Sequence, residues 1–220
     1  MFDKHKIKSI FFDLDGTLLK SGPDLMTAVN HVLMLNNMKP IEDDKVIGSL
    51  VGGGAAMMID RAFMHYNVKI NKSLMPELVD QFISFYAKNC SIKSTLYNQV
   101  ERTLKTLKEN KIKLCVCTNK RQYLAEKVLK DFKISSIFDH ILGSQPKLKL
   151  KPNLEMLEFL SKQVDEEYKN IAMVGDSNND IEPANKLGMK SIFVNYGYGK
   201  IEKFKPSVEI NSFERILDFV

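Results

Sequence analysis

The chain has 220 residues, 44% of them hydrophobic, a formal net charge of +5 and three cysteines. That length supports a buried core without disulfides, and the odd, unpatterned cysteine count fits a reducing compartment. The basic excess is lysine interleaved with acids, without the arginine-rich, aromatic stripe that nucleic-acid binding requires, and no apolar run approaches a membrane span or, near Met1–Lys6, a signal peptide.

Lys8-Ser9-Ile10-Phe11-Phe12 is a short apolar run that ends at Asp13-Leu14-Asp15-Gly16-Thr17, which predicts a buried strand stopping at a turn. Residues 20 to about 94 then read as helices. Ser21 or Gly22 caps the first, with Pro23 in its opening turn and Leu25, Val29, Val32 and Leu33 on one face. After Gly52-Gly53-Gly54, helical spacing resumes through Ile59, Ala62, Phe63 and Tyr66, and again through Leu74, Leu78, Phe82, Phe85 and Tyr86. Beyond that insertion, apolar runs at Ile112–Val116, Ile137–Leu142, Ile171–Val174 and Ser191–Val194 alternate with helical patterns. One of those patterns, Ile181, Ala184 and Leu187, closes on Gly188 as a C-cap. The alternation predicts a Rossmann-like parallel α/β sheet covered by helices on both faces, with an all-helical insertion after its first strand.

Ligands of open parallel sheets bind beyond the carboxyl ends of the strands. The polar residues there are Asp13 and Asp15, then Thr118 and Asn119, then Lys151 before Pro152, then Asp176 and Asp180. Carboxylates converging from two strand ends suit Mg²⁺, a hard ion that prefers oxygen. A lysine and hydrogen-bond donors would offset the charge of a phosphoryl group, and a second acid near a nucleophilic one could move protons. Lys147 and Lys149 stand close enough to compete for the lysine role, and Lys151 is preferred because Pro152 follows it and is expected to start a helix. Asp180 is suited equally to supporting a metal or to capping the helix that starts beside it. Cys115 and Cys117 share a strand face and read as packing, as do Met57, Met58 and Met173. His5, His31, His65 and His140 fall outside every motif.

Asp13-Leu14-Asp15-Gly16-Thr17, Thr118-Asn119, Lys151-Pro152 and Gly175-Asp176 with Asp180 resemble, in order, the four motifs of the haloacid dehalogenase superfamily. Within it the chain is similar to the phosphoglycolate phosphatases, through Phe12–Leu18, Gly22-Pro23-Asp24-Leu25, Val51–Ala55 and Tyr196-Gly197-Tyr198-Gly199. The resemblance implies a catalytic core at residues 1–19 and 95–220 with a helical cap at 20–94. It implies Asp13 as the nucleophile that becomes an aspartyl-phosphate, and Asp15 as general acid and base with its backbone carbonyl in the metal shell. It further implies Thr118, Lys151 and neighbouring Asn119 at the phosphoryl group, Asp176 as a Mg²⁺ ligand, Asp180 supporting the metal through water, and Gly52–Gly54 as a specificity loop. The implied partner is a small phosphorylated metabolite, with no nucleic acid and no membrane, in a cytoplasmic enzyme of open oligomeric state. A dehalogenase would lack Asp15, whereas a sugar-phosphate mutase would keep all four motifs, and a catalytically idle binding protein would have lost one of the acids. Lys20 replaces an acid common in the family, and Leu154 a frequent proline.

Overall fold

The computed structural model describes residues 7–43, 46–201 and 203–220, so His5 lies outside the described residues. The chain divides into two compact units, Met1–Lys20 with Leu96–Val220, and Ser21–Thr95.

The larger unit is built on a six-stranded, all-parallel sheet. Its strands are β1 (Ser9–Phe12), β4 (Lys113–Arg121), β5 (His140–Ser144), β6 (Ile171–Gly175), β7 (Lys190–Val194) and β8 (Val208–Ile210), in the order β5-β4-β1-β6-β7-β8. Two further strands, β2 (Leu19–Lys20) and β3 (Thr95–Leu96), pair with each other. All four residues of β1 and all five of β6 are buried, as their unbroken apolar runs require of central parallel strands. Because β1 lies between β4 and β6, the chain builds the sheet outward first on one side and then on the other. The crevice that this reversal leaves is centred on the carboxyl end of β1.

Helices α5 (Val100–Glu109), α6 (Gln122–Asp131), α7 (Glu155–Val164) and α8 (Asn178–Leu187) alternate with the strands. One sheet face packs Phe11, Cys115, Cys117 and Met173 against Met156, Leu157 and Leu160 of α7 and Ala184 of α8. The opposite face carries Phe12 against Phe138 and Phe213. Gly188 ends α8 in the left-handed conformation at φ 74°, where a Cβ would be strained. The two strand cysteines are buried in this core, and burial pushes both thiols up to about 12, so neither is a nucleophile near neutral pH.

Three sequence expectations change. β4 runs to Arg121 rather than ending near Val116, because it continues to pair with β5 through a register shift between Cys117 and Arg121. β8 was not expected, being a three-residue edge strand with Glu209 exposed at its centre. α7 starts at Glu155, not at Pro152, and the Asn153 side chain just before it accepts the Glu155 N–H at 3.0 Å.

The smaller unit holds α1 (Gly22–Leu35), α2 (Ile47–Leu50), α3 (Ala55–His65) and α4 (Met75–Asn89). Buried faces of α1, α3 and α4 supply Val29, Val32, Ile59, Ala62, Phe82 and Tyr86, at the helical spacing read from the sequence. Asp24, buried in the first turn of α1, accepts the backbone N–H groups of Ile92, Lys93 and Ser94 and the Ser94 hydroxyl. This carboxylate fastens the end of the unit to its beginning. Gly52, Gly53 and Gly54 all have positive φ, a run that only glycines adopt without strain. The Arg61 guanidinium donates to the carbonyls of Leu50 at 3.3 Å and Gly52 at 3.0 Å, so the run is held rather than loose. Met57 is 48% exposed and not core, whereas Met58 and Met173 are buried. His31 stacks on Phe85 and His65 meets Tyr66 edge-on, both as packing. Among the described residues no helix is long and apolar enough to cross a membrane.

Candidate active site

Two strand ends and a helix start of the larger unit converge. Asp13 follows β1, and its N–H donates to the Val174 carbonyl at 2.9 Å, which registers it beside β6. Asp176 follows β6, and Asp180 lies in the first turn of α8. One carboxylate oxygen from each of Asp13, Asp176 and Asp180 lies within 4.8 Å of the other two.

Each acid is fixed by its own local device. The Asp176 Oδ2 accepts the Tyr198 N–H at 2.7 Å and the Gly199 N–H at 3.1 Å. Close approach is possible because Gly16, at φ 86°, has no side chain; a Cβ there would lie 2.1 Å from that oxygen. Asp180 caps α8 by accepting both the N–H and the hydroxyl of Ser177 on Oδ2. Its Oδ1 accepts from Lys151 at 2.6 Å. Of the two expected roles, capping is met by Oδ2, while Oδ1 faces Lys151. Asp180 also lies within the acidic cluster, where the capping box holds it in the first turn of α8.

Lys151 is 3% exposed and donates to Asp13 Oδ1 at 3.0 Å, to Asp180 Oδ1 and to the Cys117 carbonyl. Burial alone would lower its proton affinity, but the Asp13 and Asp180 carboxylates raise it, so it remains an ammonium. Lys147 and Lys149 do not compete, since Lys147 is exposed and the exposed Lys149 pairs with Glu155 at 2.8 Å. The side chain of Asn119 faces the Lys151 backbone. Its Nδ2 donates to the Lys151 carbonyl at 2.8 Å, and its Oδ1 accepts the Lys151 N–H at 2.9 Å. Both ends of the Asn119 amide are thus engaged with the Lys151 backbone. Thr118 is buried at the end of β4.

Asp15 is not in the three-acid cluster. Both of its carboxylate oxygens accept from Lys120 at 2.7 Å. Lys120 went unnoticed in the sequence because a lysine after an apolar run ordinarily reads as solvated. The only signal was its place directly after Thr118-Asn119.

The donor set fits a divalent cation. One ammonium pairs with two of the three carboxylates, so with all three ionised two negative charges remain over, which a divalent ion would balance. Burial and the neighbouring charges both act on these acids. Burial, with the charges of Asp180 and Asp13 added, raises Asp176 to about 8 against its two N–H donors. Burial also raises Asp13 to about 6, with Asp180 and Asp15 adding to it and Lys151 opposing. All three donors are hard oxygens, the kind Mg²⁺ prefers.

Residues 10–194 match the family model of the haloacid dehalogenase-like hydrolases. The chain belongs to this family. It is 37% identical to a phosphoglycolate phosphatase of Mannheimia succiniciproducens, over 88% of each chain. It is 33% identical to one of Haemophilus influenzae, over 96% of this chain and 97% of the relative. Among solved structures, a predicted phosphoglycolate phosphatase from Haemophilus somnus 129PT superimposes with a TM-score of 0.86 at 31% identity, covering 97% of both chains. With phosphatase relatives along nearly its whole length, this member of the family is a phosphoric monoester hydrolase.

Proposed function

We propose that the protein is a Mg²⁺-dependent phosphatase that works through an aspartyl-phosphate on Asp13, and that its substrate is 2-phosphoglycolate, released as glycolate and phosphate. The observation that carries the reading is the convergence of Asp13, Asp176 and Asp180 within 4.8 Å, with the buried Lys151 paired to Asp13. The substrate assignment rests on the names of relatives at 30–37% identity.

Mg²⁺ held by Asp13, Asp176 and Asp180, with the Asp15 carbonyl beside them, would supply the positive charge that lets an anionic nucleophile approach a phosphate dianion. Lys151 fixes Asp13 through Oδ1, leaving the other carboxylate oxygen to attack phosphorus. Thr118 offers its hydroxyl to an equatorial phosphoryl oxygen, and the Lys151 ammonium adds positive charge on the same side. As the bond to the leaving oxygen breaks, Asp15 gives that oxygen its proton. Water then attacks the phosphoryl group, its proton passes to Asp15, and the Asp13 carboxylate is restored with release of phosphate. The core, residues 1–19 and 95–220, carries all of these groups, and the helical unit at 20–94 serves as the cap.

Phosphate release from a panel of phosphorylated small metabolites, with Mg²⁺ and with EDTA, tests the reading. Mg²⁺-dependent turnover greatest on 2-phosphoglycolate is expected. Release that persists in EDTA would refute the metal requirement, and stronger turnover of another ester would reassign the substrate. A phosphorylated product in place of free phosphate would mark a mutase.

A further inference from the structure

Two buried lysines serve different acids. Lys151 donates to Asp13 and Asp180, whereas Lys120 donates to both oxygens of Asp15 at 2.7 Å. We propose that Lys120 is a positioning residue for Asp15. It sets the plane of that carboxylate by donating to both of its oxygens. The inference rests on the proton-donor reading of Asp15 given above.

The placement is costly unless it serves the acid. The Lys120 side chain is only 4% exposed, while Asp15 keeps 18%. An ammonium taken so far out of water needs a close, well-oriented counter-charge. Here that partner comes from 105 residues away in sequence, joining the end of β1 to the end of β4. Lys120 is held from the other side as well, since its backbone N–H donates to Thr118 Oγ1 at 3.3 Å. A carboxylate offers about four lone-pair sites. The ammonium takes one on each oxygen, which fixes the group's rotation and leaves others for a proton in transit.

The chemistry gives that geometry a role. In the first half-reaction the electron pair of the breaking P–O bond goes to the leaving oxygen, which takes the proton of Asp15. The carboxylate left behind forms 2.7 Å from an ammonium already in place, so no solvent must reorganise to stabilise it. In the second half-reaction the oxygen of water bonds to phosphorus, its proton passes to Asp15, and the electron pair of the breaking bond returns to Asp13. Lys120 thus holds the oxygens of Asp15 in one orientation for the proton transfers of both steps.

A residue acting through a proton donor matters most where the leaving group needs the proton. Alkyl phosphates such as 2-phosphoglycolate leave as strongly basic alkoxides, whereas p-nitrophenyl phosphate leaves as a stable phenolate. The test is kcat/KM, which reports the first half-reaction, on both esters for Lys120→Met and Lys120→Arg, with Asp15→Asn as a control. We expect Lys120→Met to lose about 10- to 100-fold on the alkyl ester and less than about threefold on the aryl ester. Lys120→Arg should recover part of the alkyl rate, and Lys120→Met should add no selectivity in the Asp15→Asn background. Should Lys120→Met not fold, Lys120→Gln, which keeps a donor without the charge, gives the same contrast. Equal losses on both esters, or none on either, would overturn the inference. If Asp15→Asn itself falls equally on both esters, the proton-donor reading of Asp15 is what fails.

Discussion

Replacing Asp176 with Asn should make the metal-free protein more stable while removing its response to Mg²⁺. Asp176 is buried beside Asp180 and Asp13, and its pKa is raised from 3.8 to about 8. A carboxyl whose folded value exceeds its unfolded value contributes stability that is present below the unfolded pKa, near 4, and lost as pH rises through about 8. At pH 7.5 most of that loss has occurred. The gap of nearly four pH units between 3.8 and 7.5 bounds the cost at about 5 kcal/mol. Water reaching the cluster screens part of it, so Asp176→Asn is expected to gain about 2 kcal/mol. The amide is isosteric, and its oxygen can accept the same N–H groups of Tyr198 and Gly199. Urea unfolding in EDTA between pH 5 and 8 measures the effect. Wild type should weaken across that range, and the variant should weaken less. Adding Mg²⁺ should stabilise the wild type in proportion to the logarithm of its concentration, and the variant hardly at all. A variant less stable than wild type in EDTA at pH 7.5, or one with an undiminished Mg²⁺ response, would refute the charge-surplus account.

Asp13→Asn should abolish turnover and the acid-stable trapping of a phosphorylated enzyme, with an unchanged circular dichroism spectrum; residual turnover near the wild-type rate would remove Asp13 as nucleophile. Gly175→Ala should cost about 3 kcal/mol or more in thermal unfolding together with most of the activity. A Cβ there meets the Asp180 side chain at 2.2–2.4 Å, and that buried carboxylate has nowhere to retreat without leaving Lys151. Asn119→Ala should lower kcat about tenfold and cost about 1–3 kcal/mol of stability, because it takes both hydrogen bonds from the buried Lys151 backbone; steady-state kinetics and a melting curve decide. Asp24→Ala should destabilise the helical unit by about 3 kcal/mol, read by calorimetry, since it orphans three backbone N–H groups.

Much of this site was legible because parallel-sheet chemistry collects at strand ends, and Asp13, Thr118, Lys151 and Asp176 each follow a recognisable apolar run or its loop. Lys120 was not, because burial of a lysine depends on its partner, and the partner lies in another strand's turn. The length of β4 was hidden for a related reason: Thr118-Asn119-Lys120-Arg121 is polar, and only pairing to β5 keeps it extended. β8 was obscured because Val208-Glu209-Ile210 is three residues with a charge at the centre, and its edge position beside β7 tolerates that charge. The role of Asn119 followed the same pattern. An amide beside a phosphate site suggests a donor to phosphate, and only the fold shows that it faces the Lys151 backbone.

The acids are held closer than their charges favour, and the sequence shows how in retrospect. Three glycines mark where backbone and carboxylate nearly touch. Gly16 and Gly197 leave room for Asp176, and Gly175 leaves room for Asp180; a Cβ at any of them would fall within 2.5 Å of the acid. Lys151 offsets one of the three charges, and the N–H groups of Tyr198, Gly199 and Ser177 hold two of the carboxylates in place. Nothing in that arrangement removes the cost of burying them, and burial first, with the neighbouring carboxylates adding to it, pushes Asp13 and Asp176 upward in pKa. A fold selected for stability alone would have exchanged one acid for an amide, and on this reasoning the same exchange at Asp176 should strengthen the fold while removing the cation's hold.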